Sequence, residues 1–447
     1  MKKLLLISSL LFICNTAFFA QKSFLQSGPM VGYSEMREVQ LWVQTNSAAI
    51  VHIEYWAQNV ENSDTFVTNT VLTEKENVYT AKLLADEVLP DKFYNYQLVI
   101  NGEIIEFDYD LKFQAQPLWQ WRTDPPAFKF ALGSCTYINE TSFDRPGNGY
   151  GSGYEIFESI TDKAPNMMLW LGDNMYLREA DWNTRTGILH RYTHTRSTPE
   201  MQRLLASTHN YATWDDHDFG PNNSDRSFIH KDKTLEAFKL FWSNPTFGLP
   251  SLSGGITSQF SFHDVEFFLL DNRYFRTPKN PKSGEEMILG KAQIDWLVEA
   301  MSNSFAPFKM VAIGGQVLNS EKVAENYANY EEERAYLLTR IEEENIKGVI
   351  FLTGDRHNTE LSRMETEKGF IMYDLTVSSL TAGSNTRADK EDNKNRVDGT
   401  VVMAHNFAIV EVTGKRKERI LNITIFDTKG EELWTRKIDS AEFWKKK

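Results

Sequence analysis

The sequence predicts an all-β sandwich followed by a larger α/β domain. Three observations predict this order. The chain has 447 residues, more than one hydrophobic core usually holds. Residues 23–117 carry short segments with period-two alternation. From Phe128 onward, short apolar runs alternate with helix-like segments.

In the first region, Val39–Gln44, Ile50–Tyr55 and Phe93–Ile100 alternate apolar and polar residues, the mark of half-buried strands. Asn101-Gly102 is a hairpin signal. The expected sandwich spans 21–118, and His52 within it reads as packing or surface. Pro117–Pro126, with two tryptophans and three prolines, reads as the link. The expected α/β domain spans 127–447. Its strand-like runs are Phe128–Leu132, Met167–Leu171, Tyr211–Trp214, Val265–Leu270, Met310–Gly314 and Gly348–Leu352. Helices are expected near Glu155–Ile160, Arg185–His194, Lys231–Trp242, Lys291–Ser302 and Tyr330–Glu344. Strands return from His405 to Ile438. The charged stretch Ala388–Thr400 reads as a mobile loop.

Net charge is −13 and the pI about 5.3. That balance argues against a nucleic-acid backbone or an anionic membrane as the main partner. Lys445-Lys446-Lys447 reads as a solvated end. An acidic protein acting on an anion needs local positive charge, and metal cations supply it.

The start reads as a secretory signal peptide over 1–20. Lys2 and Lys3 precede an apolar run from Leu4 to Ile13, and cleavage is expected after Ala20. The run is too short to span a bilayer. Cys14 is a poor lipid-anchor candidate because Ile13 precedes it. A secreted or periplasmic protein is expected. Its one remaining cysteine, Cys135, can form no internal disulfide. The default for such a thiol is burial as a small hydrophobe; its neighbours argue otherwise.

Four of the runs end in groups that bind metals. Phe130–Gly133 leads to Cys135. Leu169–Gly172 leads to Asp173 and Tyr176. Thr213–Trp214 leads to Asp215, Asp216, His217 and Asp218, with Asn222 just beyond. Phe351–Gly354 leads to Asp355, Arg356 and His357. Ligands in α/β sheets gather beyond the carboxyl ends of strands, so these clusters should converge. Thiolate, phenolate and imidazole suit a transition ion, and phenolate favours ferric iron. Asp and Asn oxygens suit a hard cation such as calcium.

These residues resemble the PhoD-like (alkaline phosphatase D-type) family of calcineurin-like metallophosphoesterases. The resemblance rests on Gly133-Ser134-Cys135, Gly172-Asp173-x-x-Tyr176, Trp214–Asp218 with Asn222, Leu270-Asp271-x-Arg273 and Gly354-Asp355-x-His357. Leu289-Gly290, Gln293 and Trp296-Leu297 extend it. It implies two packed mixed sheets flanked by helices, preceded by a fibronectin-like sandwich. It further implies ferric iron (Fe3+) with calcium (Ca2+), and hydrolysis of phosphate monoesters and diesters by metal-activated water. By motif, Cys135, Asp173, Tyr176 and His357 would hold iron. Asp173 would bridge to calcium, with Asp216, Asn222 and Asp355 as partners; Asp215 competes with Asp216 for that place. His217 would contact phosphate or the leaving oxygen. Arg356 stands where relatives often carry a small or apolar residue, and would clamp a phosphate oxygen.

Other groups have plainer readings. Arg273 is expected in a salt bridge with Asp271 or another core acid. His190 and His194 lack the Glu of a zinc-protease helix. Arg185, Arg191 and Arg196 read as helix surface or salt bridges. Gly147–Gly153 lacks the Lys-Ser/Thr end of a phosphate loop and reads as a loop entering a helix. Asn139 and Asn222 begin glycosylation sequons of a kind common by chance. A small phosphoester substrate and a monomer are expected, with no nucleic-acid partner and no transmembrane segment. A specialised phosphodiesterase or phospholipase C, a non-enzymatic cell-surface binding protein and a redox iron protein are the competing readings.

Overall fold

The computed structural model describes residues 24–61, 63–279, 282 and 284–444. The expected signal peptide, Cys14 and Lys445–Lys447 lie outside them. Among the described residues no helix is long and apolar enough to cross a membrane.

The N-terminal domain is a β-sandwich. One sheet joins β1 (Leu25–Ser34), β2 (Val39–Thr45) and β6 (Thr80–Ala85). The other centres on β3 (Ile50–Ala57) and β7 (Phe93–Ile100), with the short strands β4 (Thr65–Val67), β5 (Val71–Leu72), β8 (Glu103–Ile105) and β9 (Lys112–Gln114). Alternation decides what is buried. Val51, Ile53 and Tyr55 enter the core against Leu41, Val43 and Leu83, while His52 and Glu54 between them stay part-exposed.

The second domain packs two six-stranded mixed sheets face to face. The first runs β12 (His209–Thr213), β11 (Met167–Leu171), β10 (Phe128–Gly133), β19 (Asn406–Thr413), β20 (Ile420–Asp427) and β21 (Glu432–Asp439). The second runs β13 (Ser258–Phe262), β14 (Val265–Leu269), β15 (Lys309–Ile313), β16 (Val349–Thr353), β18 (Ile371–Thr376) and β17 (Glu360–Glu365). In the first, β10, β11 and β12 are parallel, and β19 joins β10 antiparallel. In the second, β14, β15, β16 and β18 are parallel, with antiparallel β13 and β17 at the edges.

These central strands read as unbroken apolar runs because both faces are covered. Phe130, Leu132, Leu169 and Leu171 fill the space between the sheets against Phe267, Leu269, Ala312 and Leu352. The alternate residues Ala131, Met168 and Trp170 pack outward under α1 (Glu155–Asp162), α2 (Arg185–Arg196), α3 (Pro199–Ser207) and α5 (Lys231–Phe241). On the other side, Phe268, Val311 and Phe351 pack under α6 (Lys291–Ser302) and α7 (Glu331–Glu343). Helix α3 escaped the sequence reading, although Thr198 followed by Pro199 at the first helical position was its start signal.

The Ala388–Thr400 stretch is not a loose solvated loop. Ala388, Asn393 and Thr400 are buried. Arg396 Nε meets Glu360 at 2.5 Å, and Asn393 Nδ2 donates to Ser362 Oγ at 2.9 Å. Two of its charges, Glu391 and Arg396, are paired inward, while Asp389, Lys390, Asp392, Lys394 and Asp398 stay exposed.

The sandwich is seated on the α/β domain. Trp42 Nε1 donates to the Leu240 carbonyl at 2.8 Å, and Ser34 N–H donates to Tyr211 at 3.0 Å. His209 completes the joint: its Nδ1 lies 2.9 Å from the Gly32 carbonyl, and its Nε2 accepts the Gln114 N–H at 3.3 Å. That arrangement fits only the neutral ring, because protonated Nε2 would point a proton at a donor. Burial pushes the His209 imidazole down to about 4. Between about pH 6.5 and 4 the unfolded chain therefore binds a proton that the native chain refuses. Stability should fall by about 3 kcal/mol as pH drops through that window. Denaturation followed at pH 7 and 4.5 checks this; the pH dependence should shrink in His209→Gln.

Candidate metal centre

Four strand ends deliver the site. Just beyond β10, Cys135 is fully buried with φ 59°. Its Sγ accepts from Ser378 Oγ at 3.1 Å and lies 3.7 Å from Asp173 Oδ2. Beyond β11, Gly172 has φ 91°, and a side chain there would sit 2.7 Å from Asp215 Cβ. Asp173 follows with φ 49°. Three residues on, Tyr176 Oη donates to Asp173 Oδ2 at 3.1 Å and lies 3.2 Å from His357 Nε2. Beyond β12, the short helix α4 (Asp216–Phe219) begins. Asp218 caps the turn by accepting the N–H groups of Asp215 and Asn174, at 3.0 and 3.1 Å. Beyond β16, Asp355 and His357 have φ 63° and 54°. Left-handed backbone at four site residues is strain of the kind that functional sites hold.

Three ligand groups result, each with its atoms within 4.8 Å of one another: Cys135 with Asp173 and His357; Asp173 with Asp216 and His217; Asp215 with Asp216 and Asp355. Asp173 and Asp216 each belong to two of them, where a bridging ligand would stand.

The electrostatics of the site favour either bound protons or bound cations. Burial, then Asp216, Cys135 and Asp215, raise the Asp173 carboxyl well above its ordinary range. Burial, then Asp215, Glu325 and Asp216, push Asp355 up to about 7. Burial pushes the Cys135 thiol up to about 12, against the hydrogen bonds from Ser378 and Ser134. Asp215 Oδ2 and Asp216 Oδ1 are buried with no hydrogen-bond partner. Buried carboxylate oxygens are rarely left so. Bound metal ions would satisfy both orphaned oxygens and hold thiol and carboxyls ionised. The donor set therefore fits a mixed centre.

The other expected residues lie around the same cleft, of about 490 Å³. His217 N–H donates to Asp173 Oδ1 at 3.2 Å, and its ring lies 4.1 Å from that of Tyr176. Burial lowers its pKa, which favours the neutral ring. Asn222 lines the cleft from an exposed position. Asp215 and Asp216 both reach the site. Asp215 Oδ1 accepts from Asn272 Nδ2 at 2.7 Å and pairs with Arg273, while Asp216 Oδ2 accepts the Asn223 N–H at 2.6 Å. Arg356 lines the cleft with its guanidinium held by Glu391 at 2.5 Å and Gln316 at 3.2 Å.

Arg273 does not pair with Asp271. Its side chain holds Asp215 and, at 2.5 Å, Glu325, with Asp216 at 3.6 Å. Asp271 instead accepts the N–H groups of Arg273 and Tyr274, at 2.9 and 2.8 Å. Glu325 also binds Arg276. Gly314 backs the cluster: a side chain there would fall 2.5 Å from Asp215 Oδ2.

Sequence reasoning missed Glu325, Ser378 and Tyr150. Tyr150 sits in the 147–153 glycine-rich loop, and its Oη lies 3.3 Å from His357 Nδ1. A lone tyrosine among glycines was the available signal. His190 and His194 form no metal group: they meet Glu140 at 3.0 Å and the Asn139 carbonyl at 3.2 Å. Arg185 pairs with Glu236 and Arg191 with Asp181 and Glu140, but Arg196 is no surface residue. It is buried 4.1 Å above the Trp242 ring.

The profile of the PhoD-like phosphatases matches residues 130–417, which span every strand end named above. This chain belongs to the PhoD-like phosphatase family. A second profile, a domain of unknown function (DUF7800), matches residues 22–118 of this PhoD-like protein. The chain is 21% identical over 387 residues to alkaline phosphatase D of Bacillus subtilis (strain 168); the match covers 73% of this chain and 62% of that protein. A solved structure of PhoD aligns with TM-score 0.75 at 17% identity, covering 93% of this chain and 92% of that one. Purple acid phosphatase from yellow lupin (Lupinus luteus) seeds aligns with TM-score 0.63 at 12% identity, covering 92% and 74%. At these identities the two structures establish the fold, that of the metallophosphoesterases.

Proposed function

We propose that this PhoD-like protein is a secreted, metal-dependent phosphoesterase acting on phosphate monoesters, diesters or both. One observation carries the reading: Cys135, Asp173, Asp215, Asp216, His217, Asp355 and His357, from four strand ends, form three overlapping ligand groups, and two of their buried carboxylate oxygens lack a hydrogen-bond partner. Cys135, Asp173, Tyr176 and His357 would hold ferric iron. Asp173, Asp216, Asn222 and Asp355 would hold calcium, with Asp215 as alternative to Asp216. Such ions acidify water and offset charge on the phosphoryl oxygens. Secretion rests on the leader-like residues 1–20.

The protein's own residues would do the rest. Neutral His217 donates a hydrogen bond to a phosphoryl oxygen; to protonate the leaving alcohol its ring must first take up a proton. Arg356, held in place by Glu391 and Gln316, presents its charge to the cleft. Tyr150 fixes the His357 ring from the side away from Tyr176 by bonding the other ring nitrogen. Beyond the acidic cluster the cleft continues to Lys279, Tyr330 and Asn385, leaving room for a second ester group. Rates on a chromogenic monoester and its bis-ester test the reading. Turnover of either, abolished by a chelator, is expected; no turnover of any phosphoester by metal-loaded protein would favour a binding protein.

A further inference from the structure

We infer that the protein binds a monatomic anion of chloride's size between helix α2 and the turn that carries Asp173 and Tyr176. Asn174 and Met175 of that turn, Tyr192 and Arg196 of α2, and Trp242 just after α5 line one small cavity of about 10 Å³. That space admits a single guest about as large as a water molecule. It has no room for sulfate, phosphate or a carboxylate.

The cation in its wall is Arg196. Among the described residues, the other buried arginines each form a salt bridge: Arg178 with Asp144, Arg191 with Asp181, Arg273 with Asp215, Arg276 with Glu325, Arg356 with Glu391 and Arg419 with Asp264. Arg196 has no such partner. Its Nη1 meets the Met30 thioether at 3.4 Å, and its Nη2 donates to the Phe241 carbonyl at 3.3 Å. The Trp242 and Trp42 rings lie 4.1 and 5.7 Å from it. Carbonyl and rings offset part of the charge, but none is a counter-ion. The carboxylate whose field reaches it is Asp218, and both Asp218 oxygens accept main-chain N–H groups, those of Asn174 and Asp215. Burial pushes the Arg196 guanidinium down to about 9, so it keeps its charge at neutral pH.

Two more donors line the cavity. Tyr192 Oη and Trp242 Nε1 are buried with no hydrogen-bond partner. A hydroxyl and an indole N–H beside a guanidinium call for a negatively charged acceptor. Asn174 Oδ1 is also without a partner, and it is an acceptor, its Nδ2 being committed to the Thr213 carbonyl at 2.7 Å. A water would serve Asn174, Tyr192 and Trp242 together but would leave Arg196 without a counter-ion. An unsatisfied amide oxygen costs less than an unpaired buried cation, so the balance favours the anion. The anion braces the turn between Asp173 and Tyr176, and through Arg196 it joins that turn to Met30 and Trp42 of the sandwich.

Bromide is the probe. Crystals of the full chain grown without halide and soaked in sodium bromide, with diffraction recorded at the bromine absorption edge, should show an anomalous peak within hydrogen-bond reach of Arg196, Tyr192 and Trp242. In solution, sodium acetate is replaced stepwise by sodium chloride at fixed ionic strength. The thermal unfolding midpoint should rise by about 2–4 °C per hundredfold increase in chloride. Arg196→Met should lose that response. Tyr192→Phe keeps the ring stacked on Phe241 and should need about tenfold more chloride for the same shift. A cavity without bromide, or one holding a water bonded to Asn174, would overturn the inference. So would a midpoint that follows ionic strength alone, or a full chloride response in Tyr192→Phe.

Discussion

Replacing Cys135 by Ala should strip iron from the protein and cut phosphoester hydrolysis roughly a hundredfold or more, while the fold survives. The thiol is small and fully buried, so alanine leaves little void. What is lost is a donor 3.7 Å from Asp173 and in one ligand group with His357. Loss of even an indirect metal partner commonly costs 10–100-fold, and a direct ligand should cost no less. Tyr176→Phe is the sharper companion. It keeps the ring against His217 and removes only the oxygen that meets Asp173 and His357. Any visible phenolate-to-iron band should vanish in that variant. Iron content by elemental analysis, visible absorption and circular dichroism check the pair together. Retained iron and full activity in both would refute the ligand assignment.

Arg273→Met should be the most damaging change outside the ligands. The guanidinium is buried, holding Asp215 and Glu325 and lying 3.6 Å from Asp216. Methionine keeps the apolar stem, leaves buried Asp215 and Asp216 without this cation, and leaves Glu325 to Arg276 alone. Breaking a buried ion network from one side costs about 3–5 kcal/mol. Activity should fall too, because Asp215 and Asp216 lose the group that sets their position. Thermal unfolding of metal-free protein isolates the stability effect from metal binding. Arg273→Lys should recover part of the stability but not the geometry, since an ammonium cannot fork between Asp215 and Glu325. An unchanged unfolding midpoint in Arg273→Met would mean the network is not a scaffold.

The residues visible in the sequence were those whose roles are local. Phe130-Ala131-Leu132 and Leu169-Trp170-Leu171 read as strands because both their faces are covered, and the polar residues after them therefore stood out. The structure brings Cys135, Asp173, Tyr176, Asp216, Asp355 and His357 into one cluster and leaves Asn222 at its exposed edge. Glu325 and Ser378 were illegible because long chain paths carry them to the site, and nothing beside them in sequence suggests chemistry; Tyr150 had only its place among glycines to mark it. Of the two expected partners of Arg273, Asp271 or another core acid, the second holds: the guanidinium passes over its neighbour in sequence to reach Asp215 and Glu325. The Ala388–Thr400 stretch shows the limit of composition. Its charge density suggested a mobile loop; five of its charged residues are exposed, but Glu391 holds Arg356 at the cleft and Arg396 reaches buried Glu360.

Counting metals per chain tests the central claim most directly. Protein purified without added metal, measured by elemental analysis alongside its activity, should carry about one iron per chain together with calcium, and both should leave with activity on chelation. Full activity with zinc alone, or with no metal at all, would contradict a mixed centre built on Cys135, Asp173, Tyr176 and His357.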